Sequence, residues 1–382
     1  MRKIKIITIV GARPQILKAA AFSRAISEVY SQNFNEIIVH TGQHYDNNMS
    51  QVFFSSLNIP KPRYNLNVGS GSHAYQTAKI IEGVENIILC EKPDYMLVYG
   101  DTNSTLAASI AAAKLNLPII HIEAGLRSFN KTMPEEINRI LCDHVSSLLF
   151  CPTTTAYNNL LNEGFKNKKN RYNINRPGIF MVGDLMFDNS KYFAKISKNK
   201  SKIIDHLNLK DKFFGLVTIH RDHNTDNISN LESILTALIE VISRNNMELI
   251  FPIHPRTKKS FQKIDTGLKN KIENEKRIKI IEPVDFFDII ELEKNCKIVF
   301  TDSGGLQKES YFFGKPCIVF REETEWVEII KAGAGALVGA STTKILEKTD
   351  YLLKKNIAYP QIFGDGNTAI KICEHIIINS KC

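Results

Sequence analysis

Short apolar runs alternate with longer periodic stretches along this chain. Ile4–Val10, Glu36–His40, Tyr95–Tyr99, Pro118–Ile122 and Leu148–Phe150 each read as a strand, and segments such as Leu106–Leu115 read as the helices between them. A buried parallel strand is apolar on both faces, which is how Leu117-Pro-Ile-Ile reads. After a basic, asparagine-rich stretch at 166–177 the rhythm restarts with Phe214–Ile219, Leu249–Ile253, Ile278–Ile281, Ile298–Phe300 and Cys317–Phe320. Two successive doubly wound α/β units follow from this alternation.

A chain of 382 residues exceeds the size at which one core usually stops growing. The boundary is expected between Asn167 and Asp188, where Pro177-Gly178 interrupts the pattern. That gives domains at 1–175 and 176–364 with a ligand cleft between them, while the helix-like segment Asn367–Ile378 within 365–382 is expected to return to the first domain. No apolar run approaches the ~20 residues that span a bilayer, so no membrane insertion is expected. The start, MRKIKIITIVGARP, reads as a first strand instead of a secretory leader.

Composition changes this picture little. Hydrophobic residues make up 43% and charged residues 23%, ordinary for a globular protein. The net charge of +9 comes from lysines clustered at Asn167–Arg171, Lys195–Lys202 and Lys269–Lys279, without the interleaved aromatics on which bases stack, so no nucleic-acid partner is expected. Seven scattered cysteines with no Cys-x-x-Cys pair fit reduced, packed thiols and a cytoplasmic location. His220-x-x-His223 lacks companion cysteines and encloses Arg221, so no metal is expected.

The candidate chemistry sits where strands end, the edge at which open α/β sheets bind ligands. After Val10 comes Gly11-Ala-Arg13-Pro14, where Gly11 permits a tight turn, Pro14 suits a helix start, and Arg13 joins the helix amides as a candidate for phosphate. The turn lacks the spaced glycines of a dinucleotide fingerprint, and no NAD is expected. Asp101 follows Gly100 and precedes Thr102-Asn-Ser-Thr, so it reads as a helix cap and as a group for substrate hydroxyls or protons, two compatible roles. Glu123, Glu135 and Glu136 lie beside Arg127 and Arg139, as surface salt bridges or as acid/base groups. His220 ends a strand as a diphosphate contact or a plain loop histidine, and Ile253-His254-Pro255-Arg256 repeats the arrangement one strand later. Asp302-Ser303-Gly304-Gly305 leads from a strand into a helix, with bare backbone for phosphate oxygens, and Glu309 lies further along for ribose hydroxyls.

In order, GARPQILK, HTGQH, YGDTNST, HIEAGLRS, PEEINR, VTIHR and TDSGGLQKE resemble the UDP-N-acetylglucosamine 2-epimerase family, non-hydrolysing type, along nearly the whole chain. The resemblance implies a GT-B-like pair of Rossmann-type domains, a homodimer, a UDP-sugar in the cleft, and no metal or other cofactor. It makes Asp101, Glu123 and Glu135 resemble catalytic carboxylates and His220 a cleft histidine that serves both catalysis and UDP. Arg13, Lys18, Ser303, Gly304 and Gly305 match diphosphate-site positions, and Glu309 the ribose-binding glutamate. Gln43, His44 and Glu136 match part of an effector site, but Tyr45–Met49 and Gly71-Ser72-His73 depart from it. The run GARPQILKAA with HTGQHYDNNMSQVFF is similar to the branch acting on UDP-2,3-diacetamido-2,3-dideoxy-glucuronate.

The implied reaction inverts carbon 2 of a UDP-linked 2-acetamido sugar, feeding surface polysaccharide such as lipopolysaccharide. UDP departs, a proton leaves carbon 2, and reprotonation from the other face precedes UDP re-addition. Carbon 2 is a weak acid, so the departing diphosphate and an oxocarbenium-like transition state need stabilising. Three other readings compete: a hydrolysing epimerase, a glycosyltransferase on the same architecture, and a non-catalytic UDP-sugar sensor.

Overall fold

The computed structural model describes residues 2–43, 59–166 and 172–381. The chain forms two compact units: residues 1–189 with 361–382, and residues 190–360. It passes from the first to the second within the helix Leu185–Lys200.

The first unit holds a seven-stranded sheet made of β1 (Ile4–Val10), β2 (Phe34–His40), β3 (Tyr64–Asn65), β4 (Tyr95–Tyr99), β5 (Ile119–Ile122), β6 (Leu148–Cys151) and β7 (Gly178–Met181). Their order is β3-β2-β1-β4-β5-β6-β7, all parallel. β4 is buried at every position, as its unbroken apolar run requires. Its Met96 and Val98 pack with Ile7 and Ile9 of β1 against alanines 107, 108, 111 and 112 of the helix Asn103–Lys114. Small residues on that helix let it lie close to the sheet.

The second unit repeats the plan with β8 (Phe214–Thr218), β9 (Glu248–Pro252), β10 (Ile278–Ile281), β11 (Ile298–Thr301), β12 (Cys317–Val319) and β13 (Gly335–Leu337). Their order is β10-β9-β8-β11-β12-β13. One face buries Val217, Phe251 and Phe300 with Leu231, Leu235 and Leu238 of the helix Ile228–Asn245; the other buries Leu216, Ile250 and Val299 with Leu292. In both sheets the order reverses beside the first strand, at β1/β4 and at β8/β11. Crossover helices leave in opposite directions there and open a crevice at the strands' carboxyl ends.

The expectation of two doubly wound α/β units holds, with corrections at the margins. The expected bound at 175/176 puts residues 178–181 in the second domain, because Pro177-Gly178 reads as a break, yet Gly178–Met181 forms a strand that pairs with β6 throughout and completes the first sheet. The four-residue run has little local signal, and its place is decided by the neighbouring strand. β3 and β13 were not anticipated, being two and three residues long. The helix Thr368–Lys381 lies in the first unit, where the Asn379 amide nitrogen donates to Tyr95 Oη at 3.2 Å and to the Tyr172 carbonyl at 3.1 Å.

Candidate active site

In the first unit, two loops meet at the β1/β4 switch point. Gln15, fully buried, clamps them: its Oε1 accepts from the Gly11 and Ala12 amides at 2.8 and 3.1 Å, while its Nε2 donates to the Tyr99 carbonyl at 2.9 Å and to Thr105 Oγ1 at 2.9 Å. Gly11 is needed for closeness, not for turning. A Cβ there would stand 2.2 Å from Ser104 Oγ and 2.3 Å from Thr41 Oγ1. Arg13 opens the helix Arg13–Glu28 and is exposed.

Asp101 leaves the end of β4, but the cap of the next helix is Thr102, whose side chain accepts from the Thr105 amide at 3.3 Å. The capping role for Asp101 therefore falls away. Its Oδ2 instead meets Arg139, and Asn138 Nδ2 donates to its backbone carbonyl at 2.9 Å. Burial pushes the Asp101 carboxyl up, Arg139 pulls it back, Glu123 adds to the rise and Lys18 opposes it. Such a group holds its proton closer to neutrality than an ordinary aspartate does.

Glu123 follows β5 with φ +75, a left-handed backbone that costs a non-glycine residue energy and is concentrated at functional sites. Its carboxylate is ion-paired to Lys18, and both side chains are about nine-tenths buried. Gly100, at φ +61, sits over this pair: a Cβ there would lie 3.1 Å from Glu123 Oε2 and 3.5 Å from Lys18 Nζ. Here glycine supplies both the turn and the room.

Beneath these groups lies a buried charge network. His121 Nδ1 is 2.7 Å from Asp143 Oδ1 and its Nε2 is 2.8 Å from the Gly100 carbonyl. Asp143 Oδ2 accepts from Arg127 NH1 at 2.7 Å and from the Gly125 amide at 3.1 Å. Burial alone would raise Asp143, but His121 and Arg127 hold it below the usual carboxylate range. Arg127 also grips Glu163 through Nε and NH2, each at 2.6 Å.

Glu136 belongs to this scaffold. Fully buried, it accepts from the Ser128 and Phe129 amides, each at 2.9 Å, and from Arg139 NH1 at 2.8 Å. Burial works against its charge, yet those two amides and then Arg139 keep its carboxyl below the ordinary range. Glu135, the preceding residue, is exposed on the first turn of Pro134–Val145, and no hydrogen bond or ion pair among the described residues ties it to Asp101, Glu123 or Lys18. Gln43 is occupied by the Ser104 amide and hydroxyl at 3.1 and 2.6 Å; His44 and Tyr45–Met49 lie outside the described residues.

In the second unit the β8/β11 switch point is built on Asp302, fully buried after β11. Its carboxylate accepts from the His220 amide at 3.0 Å, the Arg221 amide at 3.0 Å and Asn224 Nδ2 at 3.0 Å, and lies 3.2 Å from His220 Nδ1. His220 is thus held at its backbone and its ring. Burial lowers its pKa, Asp302 raises it, and Arg221 and then His254 lower it, leaving the ring readily neutral. His254 lies 5.6 Å away between ring centroids and is also lowered, by burial first and Arg256 last, against Asp302. Its Nδ1 accepts from the Arg256 amide at 3.2 Å, so in the neutral ring the proton is on Nε2.

Ser303 caps the helix Gly304–Phe312, its Oγ accepting from the Leu306 amide at 3.5 Å. Neither following glycine is required by the fold. A Cβ at 304 would meet nothing nearer than Trp326 Nε1 at 3.7 Å, and one at 305 nothing nearer than Ser303 Oγ at 3.7 Å. The helix start forgoes alanine's better helix propensity and keeps bare amides. Glu309 is half-buried further along, beside Glu293 of the helix Phe286–Asn295. Burial, then the Glu309 charge, push the Glu293 carboxyl well above the usual range.

Gln15, Asp143, Asp302 and Glu293 were not singled out for roles from sequence. Asp302 and Gln15 stand inside quoted motifs, and Asp143 follows Arg139 by one helical turn; those positions were the available signals.

A sequence model of the UDP-N-acetylglucosamine 2-epimerase family matches residues 28–377. The chain is 49% identical over 372 residues to a UDP-N-acetylglucosamine 2-epimerase homolog of Methanococcus maripaludis, covering 97% of this chain and 99% of that one. It is 46% identical over 374 residues to the UDP-2,3-diacetamido-2,3-dideoxy-D-glucuronate 2-epimerase of Pseudomonas aeruginosa, covering 98% and 99%. The fold is similar to the crystal structure of the Methanocaldococcus jannaschii UDP-GlcNAc 2-epimerase in complex with UDP-GlcNAc and UDP, with TM-score 0.84, 40% identity and coverage of 98% and 100%. That likeness bears out the GT-B-like class.

Proposed function

Because the chain belongs to the UDP-N-acetylglucosamine 2-epimerase family, and is an isomerase of that type, we propose that it inverts carbon 2 of a UDP-linked 2-acetamido sugar by eliminating and re-adding UDP. The observation that carries the chemistry is the grouping of Asp101 with the Lys18–Glu123 pair at the carboxyl ends of β4 and β5. Two carboxyl groups in unlike environments suit a reaction that removes a proton from one face and returns one to the other.

In this reading the C1–O bond breaks with its electron pair leaving on UDP, and the proton on carbon 2 passes to a carboxylate, forming the C1=C2 double bond of a 2-acetamidoglucal. A proton then returns to carbon 2 from the opposite face while a UDP oxygen closes on carbon 1. Asp101, whose carboxyl is raised, is suited to carry a proton, and Glu123 to act as the ionised partner. Glu135 retains an assignment only by its motif position. Ser303, the 304 and 305 amides and His220 are suited to the diphosphate, with Arg13 adding charge, and Glu309 to the ribose. Lys18 is read as the counter-ion of Glu123 more than as a phosphate ligand.

Substrate choice lies between UDP-N-acetylglucosamine and the diacetamido-glucuronate nucleotide, since relatives of both names match nearly end to end. The test is solvent exchange: the true substrate in deuterium oxide should take up deuterium at carbon 2 and yield a UDP-linked epimer. Free sugar plus UDP would identify the hydrolysing reaction instead, and no exchange with either substrate would remove the epimerase reading.

An exposed stripe of Ile137, Leu141 and Val145 along one helix, with Phe129 nearby in sequence, supports the homodimer, which sedimentation would test. No helix among the described residues is long and apolar enough to cross a membrane. Free cysteines at 142, 151, 296, 317 and 373, all buried, support a reducing cytoplasm, and the product would feed surface polysaccharide.

A further inference from the structure

We propose that His121 is a positioning residue for Asp101: a buried imidazolium that donates one ring proton to Asp143 and the other to the Gly100 carbonyl, and so fixes the turn that presents the Asp101 carboxyl. The inference rests on the reading of Asp101 as a group that touches the sugar.

The protonation state follows from the neighbours. The Gly100 carbonyl can only accept. Asp143 is also an acceptor: its second oxygen takes hydrogen bonds from Arg127 at 2.7 Å and Gly125 at 3.1 Å, and His121 itself and then Arg127 hold its carboxyl below the usual range against burial. A neutral imidazole has one N–H and one lone pair, so it would direct a lone pair at one of these oxygens, 2.7 or 2.8 Å away and fully out of water. Both nitrogens must therefore carry protons. Burial opposes the charge, while the groups facing it, Cys142 and Asp143 of the neighbouring helix, raise the ring well above its ordinary value.

Positioning follows from what else holds the turn. Gly100 has φ +61 and its amide donates to the Ile122 carbonyl at 3.0 Å. Asn138 takes the Asp101 carbonyl and Arg139 its carboxylate. The Gly100 carbonyl is taken by His121. Because Gly100 also lies against Glu123 and Lys18, rotation of its peptide would disturb all three site groups.

Two variants divide the ring's two bonds. His121→Gln places a donor near the former Nε2 and keeps the bond to Gly100; His121→Asn places one near Nδ1 and keeps the bond to Asp143. If His121 positions Asp101, His121→Asn should lose roughly 100-fold in kcat, the scale of a misplaced reacting group. His121→Gln should keep kcat within about tenfold while melting lower than His121→Asn, since it leaves Asp143 short of a donor deep in the fold. Activity and stability would then rank the two variants in opposite order. Parallel ranking, or an unchanged kcat in His121→Asn, overturns the proposal.

Histidine ring ¹⁵N spectra of the wild type at pH 8 provide a readout without turnover. Both His121 nitrogens should be protonated, and a neutral pattern overturns the proposal even in an active enzyme. The Asp101 amide signal should move in His121→Asn and stay near its wild-type position in His121→Gln. If the wild type exchanges no carbon-2 proton, the epimerase reading fails, and the spectra still decide whether His121 fixes the turn.

Discussion

Gly305→Ala separates folding from binding. An added Cβ would come no nearer than 3.7 Å to Ser303 Oγ, and residue 305 is not among the glycines with left-handed backbone, so the native fold accepts the methyl. Removing glycine's freedom from the unfolded chain should stabilise the second unit by about 0.4–1 kcal/mol. At about 2–4 °C per kcal/mol for a unit of this size, the melting transition rises by about 1–4 °C. The same methyl stands at the second residue of the helix, where the proposed diphosphate site needs a phosphate oxygen to reach the backbone. Loss of one amide bond to an anion costs about 1.5–3 kcal/mol, so UDP should bind roughly 10- to 100-fold more weakly. Calorimetric titration with UDP, beside a thermal scan, reads both numbers. Unchanged UDP affinity in a stabilised variant would refute the phosphate site, and a fall in both would show that the glycine serves the fold.

Glu123→Gln should lower turnover by roughly 100-fold or more, the scale of lost acid/base catalysis, while calorimetry finds UDP affinity nearly intact. Asp101→Asn should abolish carbon-2 exchange yet melt at or above the wild-type temperature near neutral pH, because a carboxyl whose folded pKa is raised costs stability once it ionises. Glu136→Gln should destabilise the first unit by about 3 kcal/mol, as removal of one partner from a buried ion pair does, and denaturant melts would show it. The sign for acid follows from Glu136 and Asp143: both folded pKa values are depressed, so their contribution is complete above about pH 4.3 and is lost as pH falls through the lower folded values. His220 and His254 are depressed as well, so anion binding should raise them. UDP affinity should increase from pH 8 to pH 6 with proton uptake, measurable by titration in buffers of different ionisation enthalpy; affinity independent of pH would separate both rings from the diphosphate.

The strands at the centre of each sheet were legible because burial on both faces leaves an unbroken apolar run. Gly178–Met181 was not, since an edge strand after Pro177 has only its pairing with β6 to define it. Candidate site residues that project from strand ends, Asp101, Glu123 and His220, are visible as polar groups closing apolar runs. Gln15, Asp143 and Asp302 act through groups brought to them from elsewhere in the sequence, so their motif positions are visible in the linear pattern but their partners are not. Glu136 illustrates the limit: it and exposed Glu135 are the same residue type side by side, and only the three-dimensional path of Ser128–Phe129 makes one of them scaffold.

Asp302 has a thermodynamic consequence for any ligand of the second unit. By holding two consecutive amides, the His220 ring and Asn224, it orders the loop after β8 when the protein folds. The conformational entropy of that loop is therefore spent before a nucleotide arrives, and binding should show little loop-ordering cost. Asp302→Ala would move that cost into the binding step, so UDP would bind with a less favourable entropy on a loop that must be assembled each time.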